Sequence, residues 1–364
     1  MPQASLTSYL RNCFGRVVSE RIFHAFRGDQ WLIEKSRLFD SNFVCGPNIS
    51  VAHPIQWYKD MWKSGAVTRK PMPGFHPGIY AENISVDGVE PFVHFLKSQR
   101  PLGPWLKQVI DPSSENNYST DLKRVGKTAL HIHLHYYDQT DDILDILSHL
   151  QIRPDLKISV TSEAGKKHVL EALKKSCDWR ADVRLIQNRG RDIGPFLTEF
   201  ASDLMQYEVI GHIHSKRSSL FKDRKIIDQW INFLWENILG GRFKMGDLIL
   251  DHFARDPSLG LVFPDDPHIV GWTINKDIAE SLAARMQIKT PLPSQIDFPV
   301  GNMFWARTQA LAPIFNLNLR WEDYPDEPVG YDGTMLHAIE RLIPLIVASA
   351  GYKCAVTHVP QVSR

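Results

Sequence analysis

From residue 127 onward the chain alternates short apolar runs with amphipathic stretches, and this limits the folds open to it more than any other feature. "KTALHIHLHYY" reads as a strand and "DQTDDILDILSHL" as a helix with Ile143, Ile146, Leu147 and Leu150 on one stripe. "LKISVTS" is a strand, "AGKKHVLEALKK" a helix and "DVRLIQN" a strand. "RDIGPFLTEFASDLM" predicts one helix with Gly194-Pro195 at its start and Phe196, Phe200 and Leu204 in register. "YEVIGHIHS" is a strand, and "KIIDQWINFLWENILGG" a helix ended by Gly240-Gly241. "LGLVFP" and "PVGNMFWAR" follow as strands, each leading into helical text. Short strands alternating with helices predict an α/β fold: a mostly parallel sheet with helices on both faces. Ligands of such sheets sit beyond the carboxyl ends of the strands.

Residues 1–120 read differently. They are rich in Pro, Trp and aromatic pairs, as in "HPIQWYKDMWKSG" and "EPFVHFLKSQRPLGPW". Pro54 and Pro91 each precede an aromatic four residues on, Tyr58 and Phe95, which predicts short helical units joined by Pro-Gly turns. The polar stretch "DPSSENNYSTD", 111–121, suits a linker. The expected division is a smaller, mainly helical region over 1–120 and an α/β domain over 121–364, since 364 residues suffice for two unequal cores. The aromatics of the first region are expected to pack, because exposed in that number they would favour association. Contact with a membrane surface or a partner is the other use open to them.

Composition excludes several classes. A net charge of +1 argues against a general nucleic-acid binder. Cys13, Cys45, Cys177 and Cys354 are far apart, with no CxxC spacing, so a disulfide scaffold or zinc ribbon is not expected and a reducing cytoplasm fits. No apolar run reaches the roughly 18–20 residues of a membrane span, and the opening "MPQASLTSYLRNC" lacks a long apolar segment. The expected location is cytoplasmic, with peripheral contact at the inner membrane face left open.

The ends of the expected strands are polar. In "NRGRDIGPF", Arg189 and Arg191 flank a glycine beside a helix start, where unpaired N–H groups suit an anion; the alternative is that Asp192 or Gly194 only caps the helix. "GHIHSKRSS" places His214, Lys216 and Arg217 together, a donor cluster able to neutralise a diphosphate without a metal, or else an ordinary basic loop. His131, His133 and His135 share one face of a strand, as do His212 and His214. Steps of roughly 7 Å between alternate residues are long for one zinc ion with bonds near ~2 Å. Pocket-floor hydrogen bonding, plain packing and metal ligation all remain open for these histidines. Glu322, Asp323, Asp326, Glu327 and Asp332 crowd one segment. Asp332 precedes Gly333-Thr334 and a helical run, so it either caps a helix or serves as a general base on a fixed mount.

"NRGRDIGPFL", "GHIHSKRS", "FPVGNMFWAR" and "DGTMLHAIERL" together resemble the rhamnan synthesis protein F family, regarded as glycosyltransferases, over most of residues 125–360. The order of motifs also resembles the GT-A fold, a Rossmann-like nucleotide-sugar fold. That resemblance places "HLHYYD" and "VTSE", with His133, His135 and Ser162, at the nucleotide positions. It places Asn188 of "NRG" at an Asn-x-Gly turn and "HSKR" where a metal-binding Asp-x-Asp is expected. A basic motif in place of an acidic one puts a divalent metal in doubt; Asp265 and Asp266 of "PDD" are the reserve metal candidates. The resemblance implies a nucleotide-sugar donor, dTDP-L-rhamnose, and a growing surface polysaccharide or lipid-linked glycan as acceptor. It implies inverting transfer with Asp332 as base and Glu327 in reserve. Arg189, Arg191, Asp192, His214, Lys216 and Arg217 then lie on the diphosphate side, and Asn302, Trp305 and Arg307 on the acceptor side. No bound cofactor and no nucleic acid are expected. A non-catalytic binding subunit of a polysaccharide assembly complex is the alternative, and a histidine-based metal hydrolase the third.

Overall fold

The computed structural model describes residues 28–46, 49–66, 69–113, 125–176, 178–216 and 224–364. Eight strands form one sheet: β1 (Gln108–Ile110), β2 (Thr128–Leu134), β3 (Asp155–Val160), β4 (Ala181–Leu185), β5 (Val209–His214), β6 (Leu259–Pro264), β7 (Phe304–Arg307) and β8 (Lys353–Thr357). Their order is β1-β8-β6-β7-β5-β2-β3-β4. Every neighbouring pair is parallel except the two made by β7, which runs antiparallel between β5 and β6. All residues of β2, β5 and β6 are buried, as a sheet covered on both faces requires.

The helices sort by region. In the N-terminal region lie α1 (Ser41–Cys45), α2 (Pro54–Lys63), α3 (Pro77–Asn83) and α4 (Pro91–Lys97). One face of the sheet carries α5 (Thr140–Ser148), α6 (Glu163–Lys175), α8 (Arg224–Ile238) and α9 (Met245–Arg255). The other carries α7 (Ala201–Leu204), α10 (Lys276–Arg285), α11 (Ala312–Phe315) and α12 (Met335–Ser349). Alternation along each strand divides the core accordingly. Leu130, Ile132 and Leu134 point to the first face, and Ala129, Ile210 and Phe263 to the second.

Two elements depart from expectation. The helix expected over "RDIGPFLTEFASDLM" is a π-helical turn, Pro195–Glu199, followed by the short α7. Phe200 N–H bonds back five residues to the Pro195 carbonyl at 3.0 Å, which brings both Phe196 and Phe200 against the His131 ring. The strand expected from Pro299 narrows to Phe304–Arg307, because Gly301 and Asn302 both take positive φ, 96° and 54°, and turn the chain before it enters the sheet.

The N-terminal region has its own aromatic core of Tyr58, Phe75, Tyr80, Phe92, Phe95 and Trp105, with Phe75 and Phe95 rings 4.6 Å apart. Pro54, Pro77 and Pro91 open α2, α3 and α4 at the first turn, where a missing N–H costs nothing. This region does not stop where the expected division falls. β1 precedes residue 120, yet it pairs with β8 as an edge strand of the sheet. Lys70, almost fully buried, bonds Asp265 at 2.6 Å and Asp297 at 2.7 Å. Asp266 accepts from Arg364 at 2.5 Å and faces His268 at 2.9 Å. The two carboxylates held in reserve for a metal are therefore committed to ion pairs: that of Asp265 with Lys70 fastens the region to the sheet, and that of Asp266 holds the C-terminal Arg364. No helix among the described residues is long and apolar enough to cross a membrane.

Candidate functional site

Because β7 runs against its neighbours, its amino end lies at the edge where β2, β3 and β5 end. Asn302, just before β7, thus meets residues from those strand ends. Its Nδ2 donates to Asp192 Oδ2 at 2.6 Å, and the same oxygen lies 3.1 Å from His212 Nε2. Burial alone would raise the Asp192 pKa, but His214, His212 and the Asn302 hydrogen bond hold it well below the usual carboxylate range. Asn302 Oδ1 is buried with no hydrogen-bond partner among the described residues. His214 Nε2 donates to the Gly301 carbonyl at 2.8 Å.

Lys216 follows β5 directly. Its ammonium sits 3.9 Å over the Trp230 ring of α8 and has no ion pair among the described residues. Arg364 lies over the same ring at 4.5 Å. Burial lowers the Lys216 pKa, and the charges of Glu340 and Asp192 partly restore it. Glu340, on α12, accepts from Gly301 N–H at 2.7 Å; burial raises its pKa against the pull of Arg341, Gly301 and Lys216.

The acidic segment is held over this edge by two arginines. Arg189 donates twice to the Tyr324 carbonyl, at 2.9 and 2.6 Å, and pairs with Asp326 at 3.1 Å. Arg191 donates to the carbonyls of Val329 and Gly330 at 3.0 and 3.2 Å and faces His337 at 3.4 Å. Both guanidiniums thus shape the segment carrying Glu327 and Asp332, rather than standing free for an anion. Asp332 does not cap α12, whose N-cap is Thr334. Its oxygens accept from Asn275 Nδ2 at 2.6 Å and Thr273 Oγ1 at 2.5 Å, with Arg341 at 3.7 Å. Burial would raise its pKa, and those hydrogen bonds lower it further than burial lifts it.

Other expected residues lie nearby in different roles. His133 Nδ1 meets Ser159 Oγ at 2.9 Å, and His135, exposed, meets Thr161 at 3.0 Å. Ser162 caps α6 by accepting from Gly165 N–H at 3.1 Å. Asn188 is exposed, as is Glu327, whose carboxylate accepts from Val329 N–H at 2.8 Å. Arg217 lies outside the described residues.

Two expectations fail. Trp305 is fully buried on the opposite face of the sheet and donates to the Ile238 carbonyl at 2.9 Å, so no sugar can stack on it. Arg307 is at the far end of β7, where it donates to the carbonyls of Leu259 and Phe253 at 3.2 and 2.9 Å. Of the expected acceptor-side trio, only Asn302 reaches the carboxyl edge. Sequence reasoning missed Trp230, His337 and Glu340. The signal was spacing: His337 and Glu340 lie three apart on α12, so both face one side. A separate cavity of about 510 Å³ lies between α3 and α12, lined in part by Ile79, Leu106, Ile296 and Leu345; none of the expected site residues lines it.

No three His, Cys, Asp or Glu side chains are grouped to hold a metal ion among the described residues. Near the site, Asp192 shares one oxygen between two partners and Asp332 has each oxygen engaged. The donor set does not fit a divalent cation of the Asp-x-Asp type.

Among solved structures, 4-diphosphocytidyl-2C-methyl-D-erythritol synthase from Anaerococcus prevotii is similar at 9% identity and a TM-score of 0.38, covering 67% of this chain and 92% of its own. CMP:2-keto-3-deoxy-manno-octonic acid synthetase, in complex with CTP, is similar at 10% identity and a TM-score of 0.31, covering 64% and 90%. The uncharacterized protein WxcX of Xanthomonas campestris pv. campestris, from two strains, is 33% identical over 240 residues. The match covers 63% of this chain and 32% of WxcX, so the chain spans about a third of the length of these relatives. The family model for rhamnan synthesis protein F matches residues 92–352, from α4 through α12, and takes in every site residue named above except Arg364. The chain belongs to the rhamnan synthesis protein F family.

Proposed function

We propose that the carboxyl edge binds a nucleotide sugar, dTDP-L-rhamnose, and transfers its sugar with inversion to a hydroxyl of a growing surface polysaccharide or lipid-linked glycan. The observation that carries this reading is Lys216: a half-buried ammonium, free of ion pairs among the described residues, at the end of a central strand in a rhamnan synthesis family member. A half-buried cation with no ion pair among the described residues favours a ligand that brings negative charge.

In the proposed step, Asp332 takes the proton of the acceptor hydroxyl as that oxygen bonds to the anomeric carbon. The bond from that carbon to the diphosphate breaks on the opposite side, and the leaving charge settles against Lys216. His214 and Arg191 stand nearby, and no metal enters the step. The cytoplasmic face of a membrane is the proposed place for such an acceptor.

The test is thermal unfolding with dTDP, UDP, GDP and dTDP-L-rhamnose, each with and without chelator. A rise in Tm with the dTDP ligands, retained in chelator and lost in Lys216→Met, is expected. No shift with any nucleotide would overturn the proposal. A shift without turnover would favour a binding subunit, the reading supported by His214-Ser215-Lys216 standing where Asp-x-Asp is expected.

A further inference from the structure

Five polar groups run in single file beneath the carboxyl edge. Asp192 Oδ2 is 3.1 Å from His212 Nε2, and His212 Nδ1 is 2.9 Å from His131 Nδ1. His131 Nε2 is 3.3 Å from Ser159 Oγ, and Ser159 Oγ is 2.9 Å from His133 Nδ1. Strand register creates the file: His131 lies opposite His212 on β5, and His133 opposite Ser159 on β3, with all four side chains on one face. His131, Ser159 and His212 are completely buried.

With Asp192 ionised and the imidazoles neutral, the file has one consistent direction. An ionised carboxylate accepts and cannot donate, so His212 Nε2 carries the hydrogen. A neutral imidazole has one N–H; His212 Nδ1 therefore accepts, and His131 Nδ1 donates to it. His131 Nε2 then accepts from the Ser159 hydroxyl. That hydroxyl has spent its one hydrogen, so it accepts from His133 Nδ1. His133 Nε2 is left as a bare lone pair, with no hydrogen-bond partner among the described residues. Burial keeps the imidazoles neutral: His133 is pushed down to about 3, and His131 and His212 are also lowered.

We infer that Asp192, acting through His212, His131 and Ser159, fixes His133 Nε2 as a hydrogen-bond acceptor that reads a hydroxyl or N–H on the bound ligand. The direction of the file follows from these contacts with Asp192 ionised and the imidazoles neutral. The identity of the donor group, a hydroxyl of the nucleotide sugar, rests on the proposed function. The site thereby combines a cation for the diphosphate with an acceptor for a neutral group. A ligand lacking that donor leaves the lone pair unmatched in low dielectric and should bind roughly 10- to 100-fold more weakly. Asp192 and Ser159 are positioning residues here.

Nitrogen-15 NMR of histidine-labelled, ligand-free protein tests the direction. His133 is expected as the Nδ1–H tautomer with Nε2 unprotonated. Asp192→Asn can present an amide N–H to His212 and should reverse the file, leaving His133 protonated at Nε2. Ser159→Ala cuts the file without touching Asp192, and should leave His212 unchanged while His133 becomes a mixture of tautomers. An Nε2–H His133 in the native protein, or an unaltered His133 in Ser159→Ala, would overturn the inference. Adding dTDP-L-rhamnose separates the two proposals. A rise in Tm with no change at His133 Nε2 removes the recognition role and leaves the proposed function. The predicted tautomer with no rise in Tm removes the proposed function and leaves the fixed acceptor.

Discussion

Asp192 and Asn302 are 110 positions apart, yet their side chains meet at 2.6 Å. Asn302 makes this contact from a left-handed backbone, φ 54°, which asparagine tolerates better than most residues with a Cβ. Asn302→Ala loses a hydrogen bond to a charged group and keeps the backbone strain, so it should cost about 2–4 kcal/mol in urea unfolding. Asn302→Gly loses the bond but relieves the backbone, and should recover about 1 kcal/mol of that. Equal stability of the two variants would show that the backbone conformation contributes nothing.

Lys70 is the shared partner of Asp265 and Asp297. Lys70→Met leaves the buried Asp265 without a cation, though Lys107 still reaches Asp297 at 2.6 Å. A loss of about 3–5 kcal/mol is expected from denaturant unfolding. Adding Asp265→Leu should restore a large part of it, since the harm lies in the unpaired charge.

Glu90 caps α4, accepting from Phe92 N–H, Val93 N–H and the Tyr58 hydroxyl at 2.9, 2.8 and 2.9 Å. Burial pushes its pKa up to about 7 from an ordinary 4.5, against those hydrogen bonds. Between these two values the unfolded chain has released the proton and the folded chain still holds it, so stability falls as pH rises. The loss is roughly 3 kcal/mol across that window and levels off above pH ~7. Glu90→Gln removes this contribution. The difference in unfolding free energy between wild type and variant should change with pH from 5 to 7.5; a constant difference would mean that Glu90 is already ionised at pH 5.

Asp332 takes hydrogen bonds from Asn275 and Thr273 that favour its ionised form. Asp332→Asn should reduce sugar transfer by about 10²- to 10⁴-fold, while the Tm shift caused by dTDP persists. Full turnover in the variant would move the base to another carboxylate, with Glu327 the reserve and Glu340, which acts on Lys216, a further candidate.

The strands β2, β3, β5 and β6 and the helices α5, α6 and α8 were legible because burial writes apolar runs and clear stripes, and the edge strand β4 was legible from its place between two helices. β1, three residues long, fell below the length at which alternation is distinctive, and β8 was not read as a strand. The reversed direction of β7 was not legible, since a strand's residues carry no mark of which way it runs. That reversal decides the site: it brings Asn302 to the carboxyl edge and sends Arg307 to the other. Part of the error was avoidable. Asn302 and Trp305 are three apart, an odd spacing, so a continuous strand cannot show both to one ligand. The histidines were legible as one face, but their order as a file was not, because it depends on which strands are neighbours. Glu340 lay hidden for a similar reason: α12 was read for its apolar stripe of Met335, Ile339 and Leu342 rather than for the residues beside it.

β1 closes the sheet beyond β8, although it comes from the part of the chain expected to fold separately. A fragment beginning at residue 121 would bare the backbone of β8 along one side and invite self-association through strand addition. Attempts to isolate the α/β half should therefore start upstream of Lys70, since a cut at the apparent linker would discard both a sheet edge and the cation that Asp265 needs.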